Sequence, residues 1–165
     1  MREMAGAVLV GVLLLSSCAQ RYGYRDGVVY TQRASYAIGP IDELWSVRKD
    51  KGSDALFRNE ALGAALYVDS TCRNFQDAPL SVLANHLFFG FDEAEVRHQR
   101  IHRIDNRDAL ERLVRARLDG AEVGVAVTVL KKNACVFDII LVAPADAFDD
   151  LVPFYREIVG GFRTL

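Results

Sequence analysis

The run Cys135-Val136-Phe137-Asp138-Ile139-Ile140-Leu141-Val142 constrains the fold more than any other stretch. Read with the period of two of a β-strand, one face carries Cys135, Phe137, Ile139 and Leu141. The other face carries Val136, Asp138, Ile140 and Val142. Both faces are apolar, so the strand must lie inside a sheet that is covered on both sides. Asp138 is the exception within this run. A carboxyl there needs hydrogen bonds or a cation, or its pKa rises. An ion pair with Arg48 or Arg58, a structural buried charge, is the expected arrangement.

The neighbouring segments supply the sheet. Val123, Val125, Val127 and Val129 alternate with small residues, and Lys131-Lys132-Asn133-Ala134 makes the turn into the apolar run. Residues 107–119 fit a helix through Leu110, Leu113, Val114 and Leu118. They also fit a strand with Leu110, Val114, Ala116 and Leu118 on one face and Glu111, Arg115 and Arg117 on the other. The strand is preferred, because Asp119-Gly120 is a hairpin signal and strands follow. Residues 95–104 read as a further strand. Val28–Thr31, Leu44–Arg48, Ala55–Arg58 and Ala64–Cys72 are β-prone runs set off by turn residues.

Two helices provide the cover. Leu80, Leu83, Leu87 and Phe91 repeat at helical spacing behind Asp77 and Pro79. Near the C-terminus, Phe148, Leu151, Val152, Tyr155, Ile158 and Val159 form a second stripe, with Asp146 or Asp149 as its cap. Pro153 must sit in the first turn of that helix or kink it. The fold class is α+β: a mainly antiparallel sheet with helices on both faces.

The first residues read as an address. Ala5–Leu15 is an apolar run too short to span a bilayer core of roughly 20 helical residues. It has the size of a signal-peptide core. Leu15-Ser16-Ser17-Cys18 resembles the lipobox of Gram-negative bacterial lipoproteins, an aliphatic residue and two small ones before a cysteine. The resemblance implies cleavage before Cys18 and lipidation of its thiol with palmitate-type acyl chains. It also implies a protein held on the membrane in the cell envelope. Ala19 in place of Asp implies the outer membrane, facing the periplasm. The expected organisation is a signal peptide over 1–17, a tether over 18–27 and one domain over 28–165.

The order of elements resembles PsbP-type proteins, an α/β/α sandwich, over about Trp45 to Phe162. The segments Tyr67–Cys72 and Lys132–Asp138 are similar to a group of uncharacterised Gram-negative lipoproteins that accompany ABC-type (Mce-type) lipid-transport gene sets. That resemblance implies an envelope context and an envelope protein partner, and assigns no active-site residue.

Once Cys18 is lipidated, Cys72 and Cys135 remain, and an oxidising periplasm favours their disulfide. It would close a 64-residue loop, for about 4 kcal/mol on the chain-entropy model.

The other chemistry is sparse. His98 and His102 would share a metal ion on a helix; on a strand, residues four apart stand roughly 13 Å from each other and cannot. Arg97, Arg100, Arg103, Arg107, Arg112, Arg115 and Arg117 interleave with acids, which reads as a salt-bridged surface or, more sharply, a partner or anionic-lipid surface. A formal net charge of -2, from 20 basic and 22 acidic residues, gives no footprint for nucleic acid. There is no G-x-S-x-G, phosphate loop, H-E-x-x-H or C-x-x-C, and no cofactor is expected. Two functions follow. One is a non-enzymatic, lipid-anchored accessory module that binds a protein or amphiphile. The alternative is an envelope hydrolase, which needs His86, His98, His102 and Asp138 gathered in one cleft.

Overall fold

The computed structural model describes residues 22–72 and 77–165. Cys18, with the signal and lipobox expectations, lies outside them. The strands are β1 (Gly23–Arg25), β2 (Val28–Tyr30), β3 (Ser35–Ala37), β4 (Ser46–Arg48), β5 (Ala55–Asn59) and β6 (Ala64–Thr71). Helix α1 (Leu80–His86) follows, then β7 (Asp92–Ile104), β8 (Arg107–Leu118), β9 (Ala121–Lys132) and β10 (Cys135–Pro144). Helix α2 (Ala145–Gly160) and a short β11 (Arg163–Thr164) end the chain.

Seven strands form the main sheet in the order β4-β5-β6-β10-β9-β8-β7, and every pairing is antiparallel. The apolar run lies in the middle, as β10 between β6 and β9. Residues 107–118 are a strand, because β8 finds ladder partners on both edges. Three tight turns join β7 to β10, and each puts two consecutive residues at positive φ: Asp105-Asn106, Asp119-Gly120 and Asn133-Ala134. This is the backbone of a primed hairpin turn, whose twist matches that of the strands it joins.

Helix α2 covers one face of the sheet and α1 the other, which gives the α/β/α sandwich. On the α2 face, Phe137, Ile139 and Leu141 are fully buried with Leu66, Val68 and Leu130. The sheet permits this approach because Gly124 has no side chain: a Cβ there would lie 2.0 Å from the Phe148 ring of α2. Trp45 stacks flat on Phe154 of α2, ring centroids 4.9 Å apart. Pro153 lies deep inside α2, beyond the expected first turn. It is exposed on the solvent side, where the carbonyl it leaves unbonded can meet water. Pro144, and neither Asp146 nor Asp149, precedes the helix as its N-cap.

A second, four-stranded sheet in the order β1-β2-β3-β11 shares the α2 side. It docks through aromatic edges, Tyr24 on Phe57 at 4.8 Å and Tyr36 on Phe137 at 5.1 Å. Residues 23–27, expected within the tether, are therefore part of the folded body. Asp26 and Gly27, both at positive φ, turn β1 back onto β2, and the Tyr24 ring fixes the hairpin to the core.

Helix α1 is shorter than its periodicity predicts. It stops at His86, and the chain through Phe91 leaves it in turns. Leu83 and Ala84 pack on Val125, Val127 and Val129 of β9 and on Leu110 and Val114 of β8. Its N-cap is Pro79, so Asp77 does not cap it.

Candidate functional site

The register separates the two ends of the main sheet. Thr71 pairs with Val136, so the next pair along the ladder is Cys72 opposite Cys135, and these two sulfurs form a disulfide at 2.02 Å. The end of β7, the start of β8, the start of β5 and the end of α2 all lie at this disulfide end. The opposite end carries Gly63, Asp119-Gly120 and the start of α2. The strand β1 enters at the disulfide end, since Gly23 pairs with Tyr30 just before the Thr31–Ala34 turn and the Arg33 guanidinium donates to the Cys72 carbonyl at 3.1 Å.

At this end an open groove of about 740 Å³ separates the β1-β2 hairpin from the segment joining β4 to β5. Tyr22, Tyr24 and Tyr30 line one side, and Arg48, Lys49 and Asp50 the other. The Arg25 guanidinium stands 5.0 Å over the Tyr30 ring, a cation–π contact. Asp54 fixes the floor: it accepts from the Tyr36 hydroxyl at 2.8 Å and from Ser70 at 2.5 Å. Burial, and then the Asp54 charge, hold the Tyr36 hydroxyl protonated far above the ordinary tyrosine range. Rings beside charges of both signs suit a polar-headed or polypeptide ligand; the Ser53 hydroxyl on the groove wall donates to the exposed Asp50 carboxylate at 2.8 Å.

A smaller cavity, about 130 Å³, lies beside α1 on the opposite face of the sheet. His86 and Asp138 line it with Leu83 and Val136. The Asp138 Oδ1 is buried and has no hydrogen-bond partner. The expected ion pair is not made. Arg48 pairs with Glu60 at 3.0 Å, and Arg58 is exposed on β5. The register explains why. Asp138 sits between Val129 of β9 and Asp69 of β6, so the polar group opposite it is a second carboxyl. Burial, and then the Asp69 charge, push the Asp138 carboxyl up to about 7. Asp69 is itself raised, by burial and then by Asp54.

The structure does not gather in one cleft the four residues that the hydrolase alternative needs. His98 and His102 point to the α2 face of β7, opposite Leu113 and Ala109, while His86 and Asp138 lie on the α1 face. The two strand histidines remain four residues apart along an extended chain, beyond shared coordination. Among the described residues, no three metal-ligating side chains gather.

One buried charge was not legible from sequence. Glu111, on the mixed face of β8, is 0% exposed. Arg100 of β7 grips it with two hydrogen bonds, 3.0 and 2.9 Å, and Arg156 of α2 reaches it at 2.8 Å. Burial alone would raise the Glu111 pKa; the hydrogen bonds from Arg156 and Arg100 outweigh it and hold the carboxylate ionised below the usual range. Beside it, the buried Tyr155 hydroxyl donates to the Ile139 carbonyl at 3.0 Å and shares a 2.6 Å hydrogen bond with Thr128. This network pins α2 to the sheet. Its only signal was an arginine, Arg156, next to the apolar stripe of α2.

No family model and no curated protein sequence matches the chain. Solved structures do match. Cyanobacterial PsbP (CyanoP) from Synechocystis sp. PCC 6803 superposes with a TM-score of 0.60 at 14% identity, over 79% of this chain and 86% of that one. LpqN, described as involved in cell envelope biogenesis of Mycobacterium tuberculosis, gives 0.60 at 10% identity, over 79% and 84%. A protein of unknown function from Pseudomonas aeruginosa, PA94, gives 0.52 at 9% identity, over 81% and 92%. At these identities the likeness is one of fold, and the fold of this chain is the PsbP-like α+β sandwich.

Proposed function

We propose that this protein is a lipid-anchored accessory module of a Gram-negative cell envelope, with Cys18 carrying the lipid and the folded body in the periplasm. The pairing of Cys72 with Cys135 carries the reading. It suits an oxidising compartment, and it leaves Cys18 as the one cysteine outside the bridge, at the position the lipobox assigns to acylation. Each buried acyl CH₂ contributes about 0.8 kcal/mol, so two or three chains anchor stably. The outer membrane is the proposed site, from Ala19.

The fold makes the anchor consequential. Tyr22 stands four positions after Cys18, a reach of about 14 Å at full extension. The tyrosine-lined groove therefore lies next to the bilayer. A non-catalytic binding role suits it, beside an ABC-type (Mce-type) lipid-transport system. LpqN, a neighbour in fold, is named for envelope biogenesis, which supports the envelope context.

Metabolic labelling with a clickable fatty acid tests this. The full chain takes the label and fractionates with membranes; Cys18→Ser loses both. An unlabelled wild-type protein overturns the reading.

A further inference from the structure

The cavity beside α1 plays no part in the reading above, which places binding in the tyrosine-lined groove. Its walls are of two kinds. Leu83, Leu87 and Val136 are apolar; Thr71, His86 and Asp138 are polar. Leu83 and Leu87 stand one helical turn apart, so they present one continuous apolar surface. The volume is about 130 Å³, and a cavity of roughly 150 Å³ admits a benzene-sized molecule. A body of about four to six carbons therefore fits.

Asp138 gives the cavity its charge. Its Oδ1 is buried without a hydrogen-bond partner, and its ladder neighbours are apolar Val129 and a second acid, Asp69. None of the ion pairs among the described residues includes it. On the same face of β9, the Lys131 ammonium donates to the Ala78 carbonyl at 2.9 Å, and His86 of α1 is exposed. A carboxylate withdrawn from water calls for a donor and a positive charge together. A metal ion fits poorly, because three of the six lining residues are apolar and no three metal-ligating side chains gather among the described residues. A primary ammonium on a short alkyl chain meets both walls: its N–H groups donate to Oδ1, and its methylenes cover the leucines.

Going beyond the anchored-module reading, we propose that this cavity binds a small primary alkylammonium ion, with its nitrogen on Asp138 and its alkyl chain against Leu83, Leu87 and Val136. Asp69 adds to the negative field from the neighbouring strand. Burial, and then the Asp69 charge, push the Asp138 carboxyl up to about 7, so the site is mostly charged at pH 8 and mostly neutral at pH 6.

The test titrates the full chain, in a sugar-headed detergent that carries no amine, with n-butylamine, n-butanol and butyrate at matched ionic strength. Amide shifts are followed by NMR. At pH 8 butylamine gives saturable shifts at Thr71, Leu83, Val136 and Asp138 with a Kd of about 1 mM, and butanol and butyrate bind at least about tenfold more weakly. At pH 6 the affinity for butylamine falls about tenfold, with the ionised fraction of Asp138. Asp138→Asn, its folding checked by thermal unfolding, loses the preference for butylamine over butanol. His86→Gln keeps both the preference and its pH dependence. Equal affinity for the three probes, no saturable shift up to about 20 mM, a preference that survives in Asp138→Asn, or a pH dependence lost in His86→Gln overturns the proposal. Tighter binding of a blocked lysine, which has the same four-carbon ammonium tip, overturns the free amine in favour of a partner's side chain. Fatty-acid labelling at Cys18 is independent of all these outcomes, so failure at this cavity leaves the anchored-module reading standing, and the reverse.

Discussion

The two faces of β10 both read as apolar in sequence, apart from Asp138 on one of them, and ended in different environments. On the α2 face, Phe137, Ile139 and Leu141 are 0–1% exposed. On the α1 face, Asp138, Ile140 and Val142 remain partly exposed. The difference comes from cover. Sixteen helical residues of α2 extend about 24 Å and the small sheet extends the layer, whereas the seven of α1 extend about 10 Å. One face is a finished core; the other keeps a buried carboxyl and a cavity beside its helix. Stability resides mainly in the first face, and sensitivity to conditions in the second.

Matched truncations give the largest contrast. Tyr155→Ala removes a fully buried ring together with its two hydrogen bonds and should cost about 4–5 kcal/mol. Leu83→Ala, at the margin of the thinner layer, should cost about 2 kcal/mol. Urea denaturation followed by Trp45 fluorescence measures both; equal losses would mean the two layers carry equal weight.

A pH titration sharpens the contrast. The folded-state pKa of Asp138, about 7, lies above its unfolded value, so the folded chain holds the proton more tightly. The stability tied to this group is fully present below about pH 4, falls as pH rises through 7, and is then lost. The loss should be roughly 2–4 kcal/mol. Asp138→Asn should abolish this slope and leave the protein the more stable of the two at pH 8, read as thermal unfolding across the range. A variant with the wild-type slope would place the titration elsewhere.

The smallest effect concerns the turn that leads into β10. Ala134 holds a φ of 63°, a conformation that glycine adopts freely and alanine does not. Ala134→Gly should stabilise by about 0.5–1 kcal/mol, seen as a small rise in Tm. A destabilised variant would show that contacts of the alanine methyl outweigh the relief.

Much of the fold was legible. Alternation of valines located β9, two-sided apolarity located β10, and spacing located α2. The Asp119-Gly120 turn resolved the ambiguous segment 107–119 in favour of a strand. The cysteine pairing was legible too, because one cysteine closes a strand and the other opens one. What escaped depended on distant partners. Strands β1, β3 and β11 have two or three residues each, and they exist because Tyr24 and Tyr36 find aromatic edges far along the chain. Glu111 sits on a face that reads as polar, and the convergence of Arg100 from β7 and Arg156 from α2 makes its burial tolerable. Asp138 was singled out correctly as a buried acid but given the wrong partner, since register, and not composition, set it opposite Asp69.

The bridge between Cys72 and Cys135 also makes a covalent ring. Everything between them, including the 96% exposed Phe89 and the edge strand β7, belongs to that ring. A protease that cuts the backbone once within it therefore releases nothing: the two pieces stay joined through sulfur, and the C-terminal half stays attached to whatever holds the N-terminus.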